Sequence, residues 1–160
     1  MAKRVISLIV SHALAVGFGF AAGIYFLPIL IAPDAPDQEQ VIEAFESSDY
    51  VGTFSRDRID SDSFHWGEGE FSLSTNTAVF SGTLAPGPDY RLYLSPEFVE
   101  TEADFNRLRS VMVQLGPIRT FENFIVEIPS GVEPSDYSTA IVWCETFGEY
   151  ITSGTYERKK

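Results

Sequence analysis

Ala140-Ile141-Val142-Trp143-Cys144-Glu145 is a short apolar run closed by a carboxylate, with two β-branched side chains and an indole inside it. Its length and its residue types are those of a strand and not of a buried helix. In a strand, Ala140, Val142 and Cys144 share one face while Ile141 and Trp143 share the other. Both faces are apolar, so the strand is central and Cys144 is interior.

The same texture extends on both sides of this run. From Tyr50 onward, short stretches rich in Val, Ile, Phe, Tyr and Thr alternate with clusters of Gly, Pro, Asp and Ser, the signature of strands and turns. Strands are expected near Tyr50–Phe54, Phe64–Leu73, Ala78–Leu84, Tyr90–Ser95, Val111–Leu115, Phe124–Ile128, Ala140–Glu145 and Tyr150–Tyr156. Eight strands in about 105 residues predict an all-β domain, an antiparallel β-sandwich over residues 50–157. Ala103–Arg109 is the one segment in this region where a helical turn is expected. No long helical period alternates with the strands, which argues against a parallel α/β sheet.

Upstream the chain changes character. Val5 to Ala32 holds no Asp, Glu, Lys or Arg, and about 20 apolar residues suffice to cross a bilayer core. Residues 5–32 therefore read as a transmembrane anchor, too long for the apolar region of a cleavable signal peptide, about 7–15 residues. Lys3 and Arg4 precede the span and Asp34, Asp37 and Glu39 follow it. The positive-inside bias then puts the N-terminus in the cytoplasm and the domain in the periplasm or the extracellular space. Gly19 and Gly23 form a small-residue seam at which a second helix could pack to make an oligomer. Residues 33–49 read as a Pro-rich linker with a short amphipathic helix at Gln38–Phe45.

Charge narrows the function. Setting Lys3 and Arg4 apart from the total of −12 leaves −14 on the rest of the chain. A domain of that sign is repelled by phosphate backbones, which excludes nucleic acid as a partner. The membrane partner is reached by the helix and not by a basic patch.

Few groups carry chemistry. Cys144 is the only cysteine, so no intrachain disulfide forms, and without a nearby cation its thiol stays protonated. His65 is the only histidine beyond the apolar run. Read as part of a strand, His65, Gly67, Gly69, Phe71 and Leu73 share an apolar face, and the two glycines leave a vacancy beside the imidazole. Cys144 is expected on the same side of the sandwich as that vacancy, with His65 near enough to hydrogen-bond or co-ligate. A blue-copper centre needs a second histidine beside His65, Cys144 and Met112. The haem attachment motif is missing, and zinc lacks ligands. Asp57, Asp60 and Asp62 lack the order of a calcium loop and read as a solvated turn. No metal is assigned, and the cofactor is unknown. No nucleophile elbow, P-loop or dinucleotide fingerprint marks a stand-alone enzyme.

A set of ordered elements does point to a family. Gly52-Thr53-Phe54, His65-Trp66-Gly67-Glu68-Gly69, Gly87-Pro88-Asp89-Tyr90-Arg91-Leu92-Tyr93-Leu94-Ser95, Ile128-Pro129 and Ile141-Val142-Trp143-Cys144-Glu145-Thr146-Phe147 stand in the order seen in the DM-thirteen domain. From Tyr50 to Tyr156 the chain resembles that family, and its anchor resembles that of membrane-anchored bacterial members. The resemblance implies electron transfer through the family's cysteine, here Cys144, with His65 as its candidate neighbour and a separate redox partner. The alternative is a non-enzymatic binding module that recognises an envelope protein or an extracellular polymer, with Cys144 merely core.

Overall fold

A computed structural model describes residues 2–160. Helix α1 (Ala2–Ile31) has no buried residue. At 1.5 Å per residue it runs about 45 Å, against about 30 Å of hydrocarbon in a bilayer. It is long and apolar enough to cross a membrane. The helix ends ahead of Pro33. After the Pro-rich segment, Asp37 caps α2 (Gln38–Glu46) in a reciprocal box, its carboxylate accepting from the Gln40 N–H while the Gln40 side chain accepts from the Asp37 N–H.

Eight strands follow: β1 (Tyr50–Phe54), β2 (Gly67–Leu73), β3 (Thr77–Leu84), β4 (Tyr90–Ser95), β5 (Val113–Ile118), β6 (Phe124–Glu127), β7 (Thr139–Cys144) and β8 (Glu149–Arg158). They form one sheet in the order β5-β4-β7-β8-β1-β2-β3-β6, and every pairing is antiparallel. The long strand β8 joins the two halves, pairing with β7 along its first part and with β1 near its end. The sheet curls until its edges meet without a ladder: a methyl on Gly116 of β5 would lie 3.0 Å from Val126 of β6. The result is nearly a closed barrel. Pro117 sits on β5, an edge strand, the one place in a sheet where its missing donor costs little.

The interior and the outside of this sheet carry separate cores. Inside lie Phe54, Phe71, Phe80, Leu92, Phe124, Val142 and their neighbours, with Phe54 stacked on Phe71 at 4.4 Å and Phe80 on Phe124 at 4.9 Å. Outside, α3 (Glu102–Leu108) covers Tyr93, Ile141, Trp143 and Tyr150. Thr101 caps α3 through its hydroxyl. Phe105 and Leu108, one turn apart, point onto the sheet, and Phe105 stacks on Trp143 at 3.8 Å with the rings 4° from parallel. The both-faces-apolar reading of β7 thus corresponds to a strand with a core on each side.

Two expectations are corrected. His65 is not on β2, because Asp62 Oδ1 accepts the N–H groups of Phe64 (2.6 Å) and His65 (2.8 Å) and turns the chain before the ladder starts at Gly67. Nor do Gly67 and Gly69 border a vacancy. A Cβ on Gly67 would stand 2.5 Å from Leu84 and 2.6 Å from Thr152, and Gly69, at φ 144°, backs onto the β3 backbone. These glycines admit close neighbours, not a ligand. Strand β5 also begins later than expected, because a 3-10 turn at Arg109–Val111 prolongs α3.

Candidate functional site

Strand alternation sends Ala140, Val142 and Cys144 into the barrel interior and Ile141 and Trp143 toward α3. Cys144 ends β7, opposite Tyr90 of β4 and Glu149 of β8. Before β4 the chain passes through Pro86-Gly87-Pro88-Asp89, with Asp89 in the left-handed region at φ 49°. This turn lays its backbone over the end of β7. The Cys144 thiol donates to the Pro88 carbonyl at 3.0 Å, and the Glu145 N–H donates to the Asp89 carbonyl at 3.1 Å. Gly87 is required there, since a Cβ would meet the Tyr90 ring at 2.7 Å.

Between this turn and the 64–65 loop lies a cavity of about 300 Å³. Cys144, Tyr90 and His65 line it together with Phe64, Phe147 and the Pro86–Pro88 backbone, and Ala21, Ile24 and Tyr25 of α1 border its other side. Cys144 is only 2% exposed, whereas Phe64 is 64% and Phe147 51% exposed. A buried thiol thus borders an apolar recess with two aromatic rings at its rim.

Electrostatics keep that thiol neutral. Burial pushes its pKa up; the backbone N–H groups of Phe147 and Thr146 pull the other way, and Asp89 and Glu149 add to the rise. Tyr90 is raised too, by burial and then by Cys144. His65 is fixed from one side: its Nδ1 lies 3.1 Å from Asp62 Oδ2, and its ring is 32% exposed. That bond leaves Nε2 as its uncommitted nitrogen. The structure brings His65 and Cys144 to one cavity, but each has its hydrogen bond elsewhere, the thiol to Pro88 and the imidazole to Asp62.

The acidic loop has structural work. Asp62 orders the His65 turn, and Asp60 Oδ2 accepts the Glu102 N–H at 2.7 Å at the start of α3. Among the described residues no group of His, Cys, Asp and Glu gathers in the way a metal ion needs.

Sequence reasoning missed the Tyr90 contact and a second cluster on the outer face. There Glu145 accepts from Tyr93, and Arg109 donates to Glu145 Oε2 at 2.7 Å. The signal for Tyr90 was the Gly87-Pro88-Asp89-Tyr90 turn, which fixes where β4 starts beside β7. Nothing local announced Arg109, which reaches Glu145 from the 3-10 turn after α3.

An antiparallel eight-stranded β domain with one buried thiol at a turn-lined recess, joined to an apolar helix, defines a class of small β modules. The chain belongs to the Electron transfer DM13 family, whose model matches residues 58–155. The matched region runs from the loop before β2 into β8 and includes both His65 and Cys144. No curated protein and no solved structure matches the chain.

Proposed function

We propose that this protein is a membrane-anchored electron-transfer module in which Cys144 is the redox-active or cofactor-binding residue and His65 its neighbour. The observation that carries the reading is the shared cavity: within a domain of an electron-transfer family, the only cysteine and the only histidine outside α1 line the same recess. On this reading residues 5–32 hold the chain in the membrane with the N-terminus in the cytoplasm, as Lys3 and Arg4 favour. The β domain of residues 50–157 then lies in the periplasm or outside the cell, tethered by residues 33–49. Gly19 and Gly23 are open on the helix surface, where an added methyl would have no heavy atom within 4 Å, and a second copy packs there.

The raised thiol pKa sets the kind of chemistry. A neutral thiol in an apolar recess is a poor nucleophile at neutral pH. Its electron exchange runs through the small thiolate fraction, which attacks a disulfide that a partner presents at the rim while the partner's other sulfur leaves as a thiolate, and the exposed Phe64 and Phe147 rings supply an apolar landing for that partner. The same rings favour the second reading, a binding module for an envelope protein or extracellular polymer in which Cys144 is only packed core.

One experiment separates the two. The full chain in detergent micelles is examined for metal, haem and visible absorption, and its thiol is titrated with a small neutral alkylating reagent before and after denaturation. The redox reading predicts a native thiol that reacts, or a chromophore that disappears in Cys144→Ser and shifts in His65→Ala. A colourless protein whose thiol reacts only when unfolded leaves the binding module.

A further inference from the structure

Tyr93 is buried on the outer face of β4, and its hydroxyl lies between Glu145 Oε1 and Gln114 Oε1, the latter at 2.8 Å. The single phenolic proton goes to the carboxylate, the stronger acceptor because it is ionised. Burial works against the charge on Glu145, but the hydrogen bonds from Tyr93 and Arg109 and the guanidinium charge outweigh it and hold the carboxyl below its usual range. Burial first, and then Glu145, push Tyr93 up to about 12. At neutral pH the pair is therefore a phenol aimed at a carboxylate.

This arrangement is unlike that of the other tyrosines. Tyr150 donates to the Ser153 hydroxyl at 2.6 Å and Tyr156 to the Pro134 carbonyl at 2.8 Å, neither of which takes up a proton. Among the described residues, Tyr93 is the only tyrosine that donates to a carboxylate. Its ring meets Phe105 edge-on at 5.1 Å, and Phe105 stacks on Trp143 at 3.8 Å, one residue from Cys144. The buried indole Nε1 of Trp143 has no hydrogen-bond partner. Oxidation makes a phenol or an indole N–H strongly acidic, so the lost electron costs least where a base waits for the proton. Of these two neighbours of Phe105 only Tyr93 has one.

We propose that Tyr93 is a one-electron redox site with Glu145 as its proton acceptor, a proposal that rests on the electron-transfer reading of the domain but not on Cys144. A one-electron, metal-centred outer-sphere oxidant takes an electron from Tyr93; the O–H bond breaks, its proton passes to Glu145, and a neutral phenoxyl radical remains. A reductant returns the electron, and the proton goes back from Glu145 to the phenol oxygen. Arg109 keeps Glu145 ionised between cycles. Glu145 has a side chain 22% exposed, which gives the proton contact with solvent.

The test uses the full chain in detergent micelles with a photo-oxidised ruthenium polypyridyl complex, read by transient absorption and electron paramagnetic resonance. The native chain gives a tyrosyl radical, and Tyr93→Phe, which keeps the ring packing, loses it. Glu145→Gln slows its formation about a hundredfold, the usual scale for removing a positioned base. Deuterated solvent slows the native reaction. Should Glu145→Gln fail to fold, the native rate is followed toward acid pH, where it falls as Glu145 takes up a proton. An undiminished radical in Tyr93→Phe overturns the proposal, as does a native rate indifferent to both deuterium and acid. Cys144→Ser separates the two claims: a full tyrosyl yield there, with a thiol that is inert in the native chain, retains Tyr93 and discards the cysteine.

Discussion

Cys144 and Glu145 are neighbours in the chain but belong to opposite regions. Cys144 ends the inner face of β7 at an apolar recess, its thiol held to a carbonyl and its pKa raised by burial and further by Asp89 and Glu149. Glu145 faces out, where Arg109 and Tyr93 converge on its two oxygens. The inner region keeps a group neutral by desolvation, and the outer keeps one charged by pairing. Strand alternation alone separates the two, over a single residue. A small β domain can in this way hold two groups of opposite electrostatic character close together, one open to a recess and one to solvent.

The outer region should be the more sensitive to substitution. Trp143→Ala removes the ring on which Phe105 stacks and should cost about 3–5 kcal/mol, as large aromatic truncations in cores do; thermal unfolding followed by circular dichroism reads it. Should the loss be under about 1 kcal/mol, α3 would not be a second core layer. Glu145→Gln weakens its bonds to both Tyr93 and Arg109 and should cost about 1–3 kcal/mol. Cys144→Ser keeps a donor for the Pro88 carbonyl while placing a hydroxyl among apolar atoms, and about 1 kcal/mol is expected. His65→Ala, in a loop, should move stability by no more than about 0.5 kcal/mol. A larger effect at His65 than at Glu145 would invert the comparison.

The two groups should also announce themselves on opposite sides of the pH scale. Glu145 has a depressed folded pKa, so its contribution is present above the ordinary carboxylate range and is lost as pH falls through the depressed value. Cys144 has a raised one, so its contribution is complete below the ordinary thiol pKa and is lost as pH rises through the folded value. Denaturant unfolding across pH should show the acid loss shrink in Glu145→Gln and part of the alkaline loss vanish in Cys144→Ser.

Much of the fold was legible because strand-length apolar runs and turn residues are local signals. Tyr50–Phe54 and Tyr90–Ser95 are strands at the expected bounds, and the helical turn at Ala103–Arg109 is α3 with its 3-10 extension. His65 was misplaced because alternation continues on paper through residues 64–66, while the Asp62 carboxylate ends it in space. The glycine vacancy failed for a related reason. A missing side chain shows where space is available, and only tertiary structure shows that Thr152, Leu84 and the β3 backbone fill it. Sequence named Cys144 and His65 as the candidates, whereas the cavity they border is made by the Pro86–Asp89 turn and the exposed rings, whose meeting depends on strand order.

If Cys144 exchanges electrons from the recess it borders, its thiol must react while the chain is folded, and small-molecule disulfide exchange on the native full chain shows whether it does. With hydroxyethyl disulfide, the Cys144 thiolate attacks one sulfur and mercaptoethanol leaves, giving a mixed disulfide that excess thiol reverses. A single adduct by intact mass is expected on the folded protein, with a rate that climbs with pH into the alkaline range because the thiol pKa is raised, and no adduct in Cys144→Ser. An adduct that forms only at the rate of global unfolding would contradict it and leave Cys144 as a core side chain.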